Sequence, residues 1–125
     1  MNKRKICVVI TARPSYSRIK TVLKSITENP RLELQLVLAG SALLQRYGNI
    51  SEIVEKDGFT VNEKIYNILE GESISSMAKT TGLAIMELST VFSNLKPDAV
   101  VTIADRFETI ATSIAASYQN IPLVH

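Results

Sequence analysis

Cysteine is almost absent from this chain: Cys7 is the only one. No internal disulfide can form, so the composition fits a reducing compartment and a Cys7 that serves as core packing. Glycine is scarce, five residues in all. Residues 11–17, TARPSYS, contain none, which excludes both the G-x-G-x-x-G dinucleotide fingerprint and the P-loop, and with them NAD binding of that kind. The one histidine, His125, and the one cysteine fall on different strand ends, so no metal-ligand spacing exists and no cofactor is implied. No G-x-S-x-G elbow is present to support a Ser-His-Asp triad. Long hydrophobic runs are missing too, since nothing approaches the roughly 20 residues of a spanning helix. The start, MNKRK followed by ICVVI, imitates a signal peptide, but an apolar run of about six residues falls short of the roughly 7 to 15 an h-region needs. It reads as a first strand with a solubilising lead, and the chain as cytoplasmic. An excess of one charge is also lacking: fourteen basic against twelve acidic residues leave +2. That is too balanced to argue for nucleic acid or a membrane surface by field alone, so any bound anion must be met by local geometry.

What is present is apolar substance, 46% of 125 residues, enough for a single domain over 1–125 with a sizeable core. Residues 6–11 form a strand by their β-branched content, and a helix follows from about Pro14 to 28 with Tyr16, Ile19, Val22, Leu23 and Ile26 as its buried stripe. Residues 32–38 are a second strand, closed by Gly40 and Ser41. Short helices are expected over 42–47 and 50–56, with Gly58 as a stop, then a weaker third strand over 60–65 and a loop over 67–75. A long helix over 74–95 is marked by Ile74, Met77, Ala78, Leu83, Ile85, Met86, Leu88, Val91, Phe92 and Leu95, with Gly82 as a point of kinking. The stretch DAVVTIADR (98–106) supplies a fourth strand, 99–102, buried on both faces. A helix over 106–118 and a fifth strand over 121–125 complete the pattern.

Strands alternating with helices imply right-handed βαβ units and a parallel five-stranded α/β sheet covered on both faces, in the order 3-2-1-4-5. That order reverses between strands one and four, and ligands collect outside the carboxyl ends of the strands at such a reversal. Residues 12–18 and 104–108 fall there. Arg13, Arg18 and Lys20 surround the start of the first helix, and no acidic residue occurs between Lys5 and Glu28. Cations at a helix start oppose the macrodipole by about 0.3 to 1 kcal/mol each. A phosphate held by backbone N–H groups and an arginine fork reverses that sign. The alternative is that Arg18 and Lys20 are ordinary solvated bases, whereas Arg13, placed in the loop, is harder to account for so. Ser15 and Ser17 suit capping, which explains one of them. Asp105 and Glu108 have the form of a capping box, while Arg106 again opposes the dipole, so Arg13 and Arg106 point to one shared anion. A lone histidine such as His125 is more often structural than functional.

The segments ITARPSYSRIK, EGESISSMAKTTGLAI, LKPDAVVTIADRFETIATSIAA and NIPLVH, in that order and spacing, resemble the amino-terminal half of hydrolysing UDP-N-acetylglucosamine 2-epimerases of sialic and legionaminic acid biosynthesis. The resemblance implies the first Rossmann-like domain of a two-domain glycosyltransferase-B fold, in a homodimer or higher homo-oligomer, with a UDP-sugar as substrate. It also implies that Arg13, Ser17 and Arg106 touch the UDP moiety, that Arg18 lies near the sugar and diphosphate, and that Asp105, Arg18 and His125 form the catalytic set. Ser15 stands where many sialic-pathway members carry an acidic residue, which leaves the choice of UDP-sugar open. The second domain would supply most uridine contacts, so the chain alone is expected to show no turnover. A nucleotide-sugar glycosyltransferase of the same architecture and a non-catalytic flavodoxin-like module are the competing readings. The latter is disfavoured because Thr11-Ala12-Arg13 stands where a phosphoacceptor receiver needs acidic residues.

Overall fold

The structure, a computed structural model, describes residues 3–43, 50–66, 74–103 and 109–125. Five parallel strands, β1 (Arg4–Ile10), β2 (Leu32–Ala39), β3 (Val61–Ile65), β4 (Ala99–Thr102) and β5 (Leu123–Val124), form one sheet in the order β3-β2-β1-β4-β5. The helices are α1 (Arg13–Glu28), α2 (Ser51–Lys56), α3 (Ile74–Leu95) and α4 (Thr109–Tyr118). This is the expected architecture and strand order.

The apolar runs of β1 and β2 divide between the two faces by the two-residue period of a strand. Val8 and Ile10, with Leu36 and Leu38 of β2, join Tyr16, Ile19, Leu23 and Ile26 of α1 and Ile50, Val54 and Phe59 around α2. Cys7 and Val9, with Val37 and Ala39, join Ala84, Leu88, Val91 and Phe92 of α3 and Ala111, Ala115 and Ala116 of α4. Each central strand is therefore buried twice over, as a parallel sheet requires. Burial pushes the Cys7 thiol up to about 12, so Cys7 is inert core packing. Gln35 breaks the pattern at 3% exposure, and its Nε2 donates 2.9 Å to the carbonyl of Leu95, one of the carbonyls left over at the end of α3. Gly58 at φ 97° ends α2, with the Phe59 N–H donating back to Val54.

Several local expectations are corrected. Val22 is 43% exposed, because on a helix it lies beyond Ile26 at the flank of the stripe that faces the sheet. On α3 the buried stripe is Thr80, Ala84, Leu88, Val91 and Phe92. Met86 falls on the far side of that helix, and Ile74, Met77 and Ala78 precede the stripe and are exposed. The helix runs unbroken through Gly82. The turn after β2 is a 3₁₀ helix, Gly40–Leu43, where a short α-helix over 42–47 was expected; residues 44–49 lie outside the described residues. The loop expected over 67–75 is likewise outside them as far as 73, and Ile74 and Ser75 already belong to α3. β5 is two residues long rather than five, since Pro122 has no N–H to give the ladder and only its carbonyl is used, by the Val100 N–H at 2.9 Å.

Phe92, 1% exposed between α3 and the sheet, is among the largest fully buried side chains. Phe92→Ala is expected to cost about 3 to 5 kcal/mol in urea unfolding. A loss below about 1 kcal/mol would contradict the packing of α3 on this face.

Candidate functional site

The order reversal places the carboxyl ends of β1 and β4 side by side, with Val9 level with Thr102. From β1 only Thr11 and Ala12 separate the strand from α1, and the Thr11 carbonyl accepts the Ala42 N–H at 3.2 Å, tying this exit to that of β2. Arg13 is the first residue of α1 rather than a loop residue. The cap is Ala12, extended at φ −148° and ψ 148°, without a side-chain hydrogen bond, so neither serine acts as the expected cap. Ser15 is buried at 2% exposure, and its N–H donates to the Ala12 carbonyl at 3.1 Å. Pro14 has no N–H to offer. The helix start thus presents fewer backbone donors than a phosphate cradle uses, and a bound anion would rely on the arginine side chain.

Arg13, Tyr16, Ser17 and Lys20 recur at three- and four-residue spacing on one face of α1. With Ile50, Ile53 and Asp57 they line a depression of about 340 Å³. Arg13 and Ser17 are exposed there, one turn apart. Arg18 is exposed too but is not part of the lining. Among the described residues the ion pairs are Lys20–Asp57 at 3.1 Å and Lys64–Glu55 at 3.7 Å, and neither arginine of α1 takes part. Lys20 is therefore not the uncompensated cation that its own neighbourhood in sequence suggested; its partner lies on α2.

Asp57 is the C-cap of α2, a position where a carboxylate opposes the helix dipole. Two donors compensate it: the Tyr16 hydroxyl at 2.5 Å and the Lys20 ammonium at 3.1 Å. The Tyr16 hydrogen bond first, then Lys20, holds the Asp57 carboxyl below its ordinary value of 3.8. Burial, then the bond to Asp57 and its charge, raise the Tyr16 phenol well above 10.0. No local signal could have found this pair, because its members are 41 residues apart.

His125 is exposed and follows β5, whose Val124 is level with Val101 of β4 and, through it, with Val8 of β1. It stands at the carboxyl side of the sheet but two strands from β1, roughly 10 Å at ordinary strand spacing. Asp105, Arg106 and Glu108, and so the start of the helix expected from 106, lie outside the described residues. The residues flanking them are Ile103, just past the carboxyl end of β4, and Thr109, the first residue of α4. Among the described residues no helix is long and apolar enough to cross a membrane.

The Tyr16–Asp57 bond sets a pH window. The Asp57 contribution is present above the unfolded carboxyl value and is lost as pH falls through the lowered folded one; the Tyr16 contribution is present below the unfolded phenol value and is lost as pH rises through the raised one. The difference in phenolate absorbance between wild type and Tyr16→Phe should therefore titrate well above 10.0. A difference centred at that ordinary value would contradict the bond.

The profile of the UDP-N-acetylglucosamine 2-epimerase family matches residues 24–125. The chain is 33% identical over its whole length to the GDP/UDP-N,N'-diacetylbacillosamine 2-epimerase (hydrolyzing) of Campylobacter jejuni, and 34% identical over 98% of its length to the UDP-N,N'-diacetylbacillosamine 2-epimerase (hydrolyzing) of Legionella pneumophila. It spans 32% of the length of each. These alignments extend across Arg13, Ser17 and Arg18, which precede the segment matched by the family profile. Among solved structures, UDP-GlcNAc 2-epimerase from Neisseria meningitidis bound to UDP-GlcNAc superposes with a TM-score of 0.79 at 21% identity, over 95% of this chain and 31% of that one. The fold also recurs, at a TM-score of 0.71 and 12% identity over 99% of this chain and 92% of that one, in the C-terminal domain of PF1911 hydrogenase from Pyrococcus furiosus, so the architecture alone carries no activity. Sequence rather than shape decides: the chain belongs to the UDP-N-acetylglucosamine 2-epimerase family.

Proposed function

We propose that this chain is the first Rossmann-like domain of a two-domain glycosyltransferase-B enzyme, a hydrolysing UDP-sugar 2-epimerase, and that it supplies the diphosphate side of the active site. The observation that carries this reading is the coincidence of the relatives at 33% and 34% identity with an exposed, acid-free arginine turn at the carboxyl end of β1. In the proposed reaction the C2 proton and the UDP leaving group are eliminated to a glycal, which is then hydrated to the 2-epimeric free sugar. Such a step needs a base near C2 and cations where charge gathers on the departing diphosphate. Arg13, Ser17 and Arg106 are assigned to UDP, Arg18 to the sugar and diphosphate, and Asp105 and His125 to proton transfer. The names of the two hydrolyzing relatives favour a UDP-diacetamido sugar over UDP-N-acetylglucosamine as the substrate. Both the homo-oligomeric state and a role in sialic- or legionaminic-type sugar synthesis belong to this proposal.

In the full-length protein, Arg13→Ala and Arg106→Ala should each weaken UDP binding by roughly tenfold to a hundredfold, the loss of a charge-assisted hydrogen bond. Equal affinity in wild type and both variants, measured by calorimetric titration, would defeat the assignment. Turnover in deuterated water should place deuterium at C2 of the released sugar. Sugar transfer to an acceptor without that label would identify a glycosyltransferase instead.

A further inference from the structure

The first two turns of α1 are weakly held by the helix itself. The cap has no side-chain hydrogen bond, Pro14 removes a backbone donor, and no acidic residue occupies the first turn. Tyr16 near the start and Ile19, Leu23 and Ile26 further along pack into the core on this face of the sheet. At its start, the polar tether is the Asp57 carboxylate, which binds Tyr16 and Lys20 from the end of α2. Tyr16 lies between Arg13 and Ser17 on the helix, within the face that lines the depression.

We propose that Asp57 is a positioning residue for the diphosphate site: by gripping Tyr16 and Lys20 it sets the direction in which Arg13 and Ser17 project. The inference rests on the assignment of Arg13 to UDP made above. Asp57 also neutralises Lys20, so that Arg13 is left as the depression's unpaired cation among the described residues. A carboxylate at a helix C-terminus is locally unfavourable, and here the Tyr16 hydroxyl and the Lys20 ammonium offset it.

The test uses the full-length protein and its UDP-sugar substrate. Asp57→Ala should raise KM and the dissociation constant for UDP together, on the order of tenfold. Asp57→Glu should restore part of the loss. In an Arg13→Ala background, Asp57→Ala should add almost nothing, because the two residues act in series. If Asp57 merely supports the fold, kcat falls with the folded fraction, KM stays unchanged and the two substitutions add; that result overturns the proposal. Should Asp57→Ala fail to fold, Tyr16→Phe, which keeps the Lys20–Asp57 pair, decides: a raised KM supports the proposal and an unchanged KM overturns it. Loss of UDP affinity in Arg13→Ala but not in Asp57→Ala defeats this inference alone. Unchanged affinity in Arg13→Ala defeats the underlying assignment.

Discussion

The structure depends on one constraint: β1 has a parallel partner on each side and must be covered on each face. Its apolar run therefore feeds two cores at once, Val8 and Ile10 toward α1 and α2, Cys7 and Val9 toward α3 and α4. Since β2 and β3 are both added on one side of β1, the chain returns beside it only at β4, which opens the other side. An order reversal of this kind is where open α/β sheets form a crevice, before any ligand is considered.

What this family member adds to the generic crevice is charge without compensation. α1 starts with an arginine, has no acid in its first turn and no capping side chain. A helix built for stability alone would carry the reverse, an acidic or hydroxyl residue at its start. The compensation it does have is distant, from Asp57 on α2 to Tyr16 and Lys20. Two departures from helix electrostatics, cations at the start of α1 and a carboxylate at the end of α2, thus meet at one depression. The clash at Asp57 is relieved within the protein, and Arg13 takes part in no ion pair among the described residues.

The fold was legible because its signals are local and periodic. The β-branched runs, the Asn29-Pro30 and Lys96-Pro97 breaks and the Gly58 stop gave the five strands and their order, and the stripe of Tyr16, Ile19, Leu23 and Ile26 gave the face of α1. What was misjudged depends on where neighbouring elements end. Val22 is as apolar as its neighbours but sits past the edge of the contact, and Met86 points away from a sheet whose position periodicity alone does not set. Arg13 stood out by its charge at a strand end and Ser17 only through the resemblance, while the partner of Lys20 was missed because Asp57 is remote in sequence. Asp57 itself has no motif. For Asp105 and Arg106 the sequence carries the whole reading, through the order of strands and the resemblance.

The proposal that Arg13, at the start of α1, and Arg106 hold one diphosphate is open to a direct test. The most direct measurement is a crystal structure of the full-length protein with UDP bound. The account expects the guanidinium groups of Arg13 and Arg106 within hydrogen-bonding distance, about 2.7 to 3.2 Å, of the same diphosphate. Finding the diphosphate elsewhere, or the two arginines directed to opposite sides of the molecule, would contradict it.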